Sequence, residues 1–468
     1  MAVIGSRQVR KIRKFPKKKK VQWTTDGQMP DLQSHTEIKH CLLESYLEDW
    51  VIKLAGTGVR STKTITLVDA FCGGGVYRDG TCRQPGSPIR IIRAIEKGWN
   101  AVKESQPYKE DLNIAYRFID ARQEHADCLK QEIRKAGYEK LLDRGICQVI
   151  TEDFEDDFEM CLDWVQQRGG HSFFFLDPFG QADLHSMARY ILNIKGSEVL
   201  LNHMFQDGYK RSIIRAFNQG DGHNHLAKHN IEEYSWLESF EELSIIEQQA
   251  LTQDSTLAIY RVKSDAKFVW NFALLKSKDH IYNYLVHLSN NATAVSVMRQ
   301  SLWKYNNLNF QFHYPIYGLG YCAKLDNRED FQLDLFDIKE QNHQACRERV
   351  LVEVDKHLHR TDGFEFKDVY ARTIDYHPAT REDLMFVSRE EVISGNWEII
   401  RDGKPICTSR INNRDIIRHA RARQLVFLPE VSGRVHQRKR ASRQSSVAQT
   451  KNSSLGQIQI PDVNLDTQ

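Results

Sequence analysis

Residues 64–75 read Thr-Ile-Thr-Leu-Val-Asp-Ala-Phe-Cys-Gly-Gly-Gly. A β-branched apolar run that ends in an acid and enters a glycine turn predicts a buried strand with a ligand-accessible end. Glycine lets a ligand approach the backbone where a side chain would block it. The theme recurs downstream. Residues 113–120 form a strand-like run ending in Asp120, residues 145–151 lead into Asp153, and residues 172–177 run without a polar break from Phe173 into Asp177-Pro178-Phe179-Gly180. Segments 124–136 and 154–167 between these runs carry helical periodicity. Short apolar runs separated by helices predict a parallel sheet covered on both faces.

Outward from this block, residues 35–54 predict a first helix. Ile38, Leu42, Tyr46, Trp50 and Leu54 form its apolar stripe, and Ser34 with Glu37 reads as a capping box. Residues 196–202 read as a fifth strand. Residues 267–276 and 280–288 read as a hairpin, followed by a helix over 293–303. The fold class is therefore α/β: a doubly wound, Rossmann-like sheet of the class I methyltransferase type, with an antiparallel terminal hairpin and a helical insertion over about 204–265. A smaller unit over 341–428 predicts three helices (342–358, 366–373, 380–393). A β-pair, 397–401 with 406–411, flanks the Asp402-Gly403 turn, a winged-helix-like pattern. The expected division is a basic arm over 1–30, the Rossmann domain over 31–340, the winged-helix-like unit, and a basic tail over 429–468.

The net charge of +3 conceals an asymmetry. Residues 1–20 hold nine Lys/Arg and no acid, and residues 429–468 carry +3, which leaves the body at −9. Basic ends on an acidic body predict an anionic partner, nucleic acid, met by Lys17, Lys18, Lys19 and Lys20 and by Arg414, Arg418, Arg421 and Arg423 after the wing. Solvated, disordered arms are the competing reading. The third helix of the small unit, with Glu382, Asp383, Glu390 and Glu391, suits protein docking as well as DNA. No run of about 18 apolar residues spans a membrane. The N-terminus lacks the apolar core of a secretory signal. Nine cysteines without a C-x-x-C pair argue against zinc ribbons and disulfide frameworks, and for a reducing cytoplasm.

Acids at neighbouring strand tips can accept hydrogen bonds from ribose hydroxyls and from a ligand ammonium. Asp69 with Phe71, Gly73 and Gly75 forms the first station. Asp120 stands where a nucleotide presents its ribose, Asp153 near an adenine edge, and Asp177 next to a reacting group. Each of these acids also serves well as a helix cap. Asp177-Pro178-Phe179-Gly180 resembles the Asp-Pro-Pro-Tyr motif of amino-group methyltransferases. There a carboxylate accepts from an exocyclic amine while an aromatic ring stacks on the base. No cysteine follows the fourth strand, as cytosine C5 chemistry requires, and no PD-(D/E)xK nuclease pattern stands out.

Four features together resemble the three-Cys-motif partner protein family (TcmP). They are His35-Thr36 with Lys39; Val68 through Gly75 with Tyr77, Asp79-Gly80 and Gly86-Ser87-Pro88; Phe174 through Gly180; and the hairpin and helix running to Met298 and Trp303. The resemblance covers about residues 30–425. It implies a bacterial or phage-associated protein with a methyltransferase-like fold and a neighbouring three-cysteine, radical-SAM-like partner. Cys72-Gly73 stands where relatives show Ala-Gly. The combined expectation is an S-adenosylmethionine-dependent enzyme that methylates an amino group of nucleic acid. The alternative is a non-catalytic, nucleic-acid-binding partner that recruits the three-Cys protein.

Overall fold

The structure, a computed structural model, describes residues 22–56, 63–178, 184–204, 220, 243–277, 280–310, 318–326, 331–406 and 410–420. Five strands of its main sheet run parallel: β1 (Thr64–Asp69), β4 (Asn113–Asp120), β5 (Cys147–Thr151), β6 (His171–Leu176) and β7 (Ser197–Met204). β9 (His280–Ser289) joins β7 antiparallel and is followed in the sheet by β8 (Phe268–Ser277) and the short β10 (Gly320–Cys322). The order across the sheet is β5-β4-β1-β6-β7-β9-β8-β10. This is the Rossmann-like order expected of a methyltransferase-type sheet, with the antiparallel β9 inserted between β7 and β8.

The strands are mostly apolar because helices cover both faces. Ile65, Leu67, Phe173, Phe175 and Leu200 enter one core, and Val68, Phe174, Leu176, Val199 and Leu201 enter the other. The first core is closed by α1 (Ser34–Gly56), α2 (Ser87–Ser105) and α3 (Gln123–Lys135). The second is closed by α5 (Phe154–Arg168), α6 (Leu184–Leu192) and α7 (Ile245–Ser264), while α4 (Glu139–Asp143) is a short link. Most of the 204–265 insertion lies outside the described residues; α7 is its described part. α1 is fastened from beneath. The buried Glu198 carboxylate accepts from the Tyr46 hydroxyl and from the Trp50 indole N–H at 3.0 Å.

Several boundaries differ from expectation. Ser34 lies within α1, and the Thr36 and Glu37 N–H groups donate to Gln33 O. The Glu37 carboxylate is held instead by Arg90, at 2.8 and 2.9 Å. The dozen residues after the glycine turn form a hairpin, β2 (Val76–Asp79) and β3 (Cys82–Pro85). Beyond α8 (Ala292–Tyr305), α9 (Ala323–Asp326) precedes a helix that begins well before residue 342, α10 (Phe331–Leu358). α11 (Phe366–Thr373) and α12 (Arg381–Ile393) follow as expected.

The small sheet has four antiparallel strands, in the order β11-β14-β12-β13. β12 (Trp397–Arg401) turns through Asp402 and Gly403, both at positive φ, into β13 (Lys404–Ile406). The second strand of the pair is thus earlier than the expected 406–411, and 407–409 lie outside the described residues. β14 (Ile416–His419) pairs with β12 and with β11 (Phe364–Glu365) and had no sequence signal. Asp383, counted above among the acids of the third helix, is buried. It completes a capping box with Thr380 and accepts from Arg347 at 3.2 Å.

Arg299 of α8 is 1% exposed and donates to Ala379 O at 3.1 Å and to Ile374 O at 2.6 Å. Trp303, one turn on, donates to Pro378 O at 2.8 Å. Replacing Arg299 by Met takes the side-chain donor from Ile374 O and leaves Ala379 O only the longer bond from the Tyr370 hydroxyl at 3.4 Å, at a cost of about 1–3 kcal/mol. Urea unfolding should show a lowered midpoint, and an unchanged midpoint would remove Arg299 as a fastening.

Candidate functional site

Parallel pairing in register brings the carboxyl ends of β1, β4 and β6 together, since Asp69 pairs with Phe118 on one side and Phe175 on the other. Asp69, Asp120 and Asp177 therefore converge on one edge. Asp69 is fully buried. Its Oδ1 accepts from the Phe71 N–H at 3.3 Å, whereas among the described residues no donor meets Oδ2 in hydrogen-bond geometry. Burial pushes its carboxyl up to about 7, against the opposing pull of Ser87 and the Phe71 N–H, and the charges of Asp177 and Asp120 add to the rise.

Asp120 organises the glycine turn. Its Oδ2 accepts from the Gly73 N–H at 3.2 Å and its Oδ1 from the Arg122 N–H at 2.9 Å, with His125 Nδ1 3.0 Å away. Gly73 and Gly75 have φ of +59° and +74°. The turn is also packed. A Cβ on Gly74 would stand 2.3 Å from Cγ of Trp23, and one on Gly75 would stand 2.5 Å from Leu129 Cδ1. Trp23 is 1% exposed, donates its indole N–H to Val76 O at 2.5 Å, and meets His125 and Tyr77 edge-on at 4.8 and 5.6 Å. The missing side chains in this turn thus already have one packing role. Cys72 is buried, and burial followed by the charges of Asp69 and Asp120 raises its thiol well above the usual range, which makes it a poor nucleophile.

Both Asp177 oxygens are engaged. Oδ2 accepts from the Lys39 ammonium of α1 and Oδ1 from the Asn202 amide at 2.6 Å. Asn283 donates to Asn202 Oδ1 at 2.5 Å, which fixes the Asn202 amide with its NH₂ toward Asp177. His35 stacks obliquely on the half-exposed Tyr282 at 4.4 Å, and burial with the neighbouring Lys39 charge lowers it to about 4. His40 is buried and held well below its usual range by burial, then by Arg90 and Lys39. Burial, then the charges of Asp177 and Asp69, raises the Tyr77 phenol.

The other expected residues are placed as follows. Pro178 is buried beside Asp177, and Phe71 is half-buried with its ring 5.7 Å from Phe154. Asp153 is exposed at the head of α5, where its backbone carbonyl accepts from the N–H groups of Asp156 and Asp157 and its side chain makes no cap bond. Arg414 is exposed in the turn before β14, and Arg418 pairs with Glu398 at 2.5 Å. Phe179, Lys17, Lys18, Lys19, Lys20, Arg421 and Arg423 lie outside the described residues. Among the described residues, no three His, Cys, Asp or Glu side chains are grouped to hold a metal ion, and no helix is long and apolar enough to cross a membrane.

Lys39, Asn202, Asn283 and Trp23 were not expected at the site. Lys39 carried a signal, as a cation one residue from Ile38 on the inner face of α1, and Asn202 interrupts the apolar run of β7. Trp23 follows the basic arm with no periodicity to place it.

No family model matches the chain, and no curated protein matches it. Solved structures similar to it include protein LPL1258 from Legionella pneumophila, under the family model DUF519, at 9% identity and TM-score 0.33, covering 59% of this chain and 93% of that one. An O-methyltransferase from Bacillus cereus in complex with SAH aligns at 13% identity and TM-score 0.27, covering 55% and 82%. Geranyl diphosphate methyltransferase in complex with SAM aligns at 11% identity and TM-score 0.21, covering 53% and 85%. Likeness at these TM-scores decides nothing; the strand order given above carries the fold.

The packing of the turn is testable by a double-mutant cycle. Gly74→Ala alone should cost about 1–3 kcal/mol by forcing Trp23 out of place, and Trp23→Ala alone about 3–5 kcal/mol. In the double variant the Gly74 substitution should become nearly free, a coupling of 1 kcal/mol or more in denaturant unfolding. Strict additivity would mean that the two residues do not pack.

Proposed function

We propose that this chain is an S-adenosylmethionine-dependent methyltransferase whose target is an amino group of nucleic acid. The observation that carries the reading is the fully buried Oδ2 of Asp69, which meets no donor in hydrogen-bond geometry among the described residues, at the carboxyl edge of a sheet with methyltransferase strand order. A buried acceptor without a donor is costly unless a ligand supplies one. The α-ammonium of S-adenosylmethionine is such a donor, and a positive charge there also offsets the desolvation of the carboxylate. Asp69, Phe71, Gly73 and Gly75 would hold the amino-acid end. The Asp120 oxygens have further lone pairs for ribose hydroxyls. Asp153 would face the adenine.

When bound, the cofactor supplies an activated methyl group on a sulfonium. The chain's own residues do the rest. Asp177 accepts an N–H of the target amine and so turns its lone pair toward the transfer position, and its negative charge favours the cationic nitrogen that methylation creates. Pro178 stiffens the backbone after Asp177, and Phe179 is assigned to stacking on the base. Nucleic acid would meet the basic arm and tail through Lys17, Lys18, Lys19, Lys20, Arg414, Arg421 and Arg423, with Arg418 at their margin.

A second reading has its own support. Trp23 already covers the glycine turn, which suits a methyltransferase fold kept as a scaffold. In that role the 341–428 unit would act as a winged-helix-like docking module for a three-Cys radical-SAM-like partner. Methyl transfer separates the two readings. With labelled S-adenosylmethionine and total nucleic acid, the enzyme reading expects label that disappears in Asp177→Ala. The scaffold reading expects none.

Cofactor binding has a predicted pH signature. Asp69 titrates near 7 because burial raises it, so below that pH it is protonated and attracts an ammonium poorly. Affinity measured by titration calorimetry should tighten several-fold from about pH 6 to about pH 7.5, above which the ligand's own α-amino group, pKa near 7.7, begins to deprotonate. Asp69→Asn should bind weakly and lose that slope. The same raised pKa means that the unliganded protein gains stability from Asp69 at low pH and loses it as pH rises through about 7. A pH-independent affinity in the wild type would count against the assigned role of Asp69.

A further inference from the structure

We propose that Lys39 is a positioning residue for amine recognition at Asp177, an inference that rests on the reading of Asp177 as the acceptor of the target amine. Lys39 and Asp177 are 138 residues apart in sequence, and α1 brings the ammonium to the tip of β6 from the protein's interior. Lys39 is 5% exposed as a residue, whereas the Asp177 side chain is 21% exposed. The ammonium therefore holds the carboxylate from behind, and the open side of the carboxylate faces outward.

A carboxylate offers about four acceptor positions. Lys39 takes one on Oδ2 and Asn202 takes one on Oδ1, so each oxygen keeps one for an incoming N–H. The Asn202 amide turns its NH₂ to Asp177 because a carboxylate only accepts, and its own oxygen accepts from Asn283, which is 1% exposed. The four side chains form one chain, Lys39–Asp177–Asn202–Asn283, that pins the carboxylate plane from both ends. Rotation of that plane would misdirect the amine lone pair, and misplacement of about 1 Å can cost about 100-fold in rate.

Stability does not explain the pair well. Burying an ammonium and a carboxylate costs desolvation that their attraction recovers only in part, and an apolar side chain on this face of α1 often does as well. His35, one turn earlier on the helix, stays neutral at physiological pH through burial and the Lys39 charge. It therefore adds no second cation beside the carboxylate.

The test compares wild type, Lys39→Met, Lys39→Arg and Lys39→Ala as full-length proteins. Each is followed by melting temperature, S-adenosylmethionine affinity and transfer of labelled methyl to total nucleic acid. The expected result is that Lys39→Met loses about 100-fold in turnover while cofactor affinity stays within about twofold. Lys39→Arg should recover part of the rate, and ethylamine added to Lys39→Ala should restore activity in a dose-dependent way. Full turnover in Lys39→Met overturns the proposal. So does a loss that tracks melting temperature and cofactor affinity without amine rescue, since that marks a structural role. If Lys39→Met fails to fold, Lys39→Arg and the rescued Lys39→Ala decide by the same criteria. Absence of transfer by the wild type is a separate result, and it overturns the methyltransferase reading on which the proposal stands.

Discussion

A carboxylate taken out of water must be neutralised, hydrogen-bonded or matched by a cation, and Asp69 receives this only in part. It has no exposed surface, one oxygen meets no donor among the described residues, and two further carboxylates, Asp177 and Asp120, act on it. Three acids on one sheet edge repel one another. The surrounding structure answers each charge differently. Asp120 is met by backbone N–H groups of the glycine turn and of the following loop. Asp177 is met by a cation and an amide. Asp69 is relieved only in part by the Ser87 side chain and the Phe71 N–H, and protonation near neutrality relieves it further. This graded arrangement suits the proposed site, in which Asp69 meets a ligand ammonium, Asp120 a sugar and Asp177, already flanked by donors, the target amine.

The sheet that creates this edge was legible in the sequence because its strands have no alternative. Val68, Phe174 and Leu201 on one face and Leu67, Phe173 and Leu200 on the other are apolar because helices cover both sides, so continuous hydrophobic runs are the signature of the parallel arrangement. Acids at the ends of β1, β4 and β6 follow from the same register. The Asp402-Gly403 turn was legible for an equally local reason, since both residues adopt positive φ and these residue types tolerate it.

What the sequence hid was non-local. Lys39 on α1 meets Asp177, and Arg299 on α8 meets Ala379, 80 residues away; neither pairing leaves a pattern in the intervening chain. Trp23 has no periodic neighbours, yet it decides what can lie on Gly74. Asp383 was read as surface acidity and is a buried cap, because its partner His343 lies on another helix, 3.0 Å away. β14 is too short for alternation to register and owes its place to β12. Local pattern specified the elements, while side-chain pairing between elements specified the chemistry.

The claim that ties these observations together is that Asp69 awaits a ligand ammonium. A crystal structure of the full chain soaked with S-adenosylhomocysteine, which carries the same amino-acid end without the sulfonium methyl, tests it most directly. The account predicts the ligand at the sheet edge formed by Gly73, Asp120 and Asp177, with its amino nitrogen within hydrogen-bonding distance, roughly 2.7–3.2 Å, of Asp69 Oδ2. No ligand at that edge at saturating concentration, or a ligand bound with its amino group away from Asp69, would contradict it.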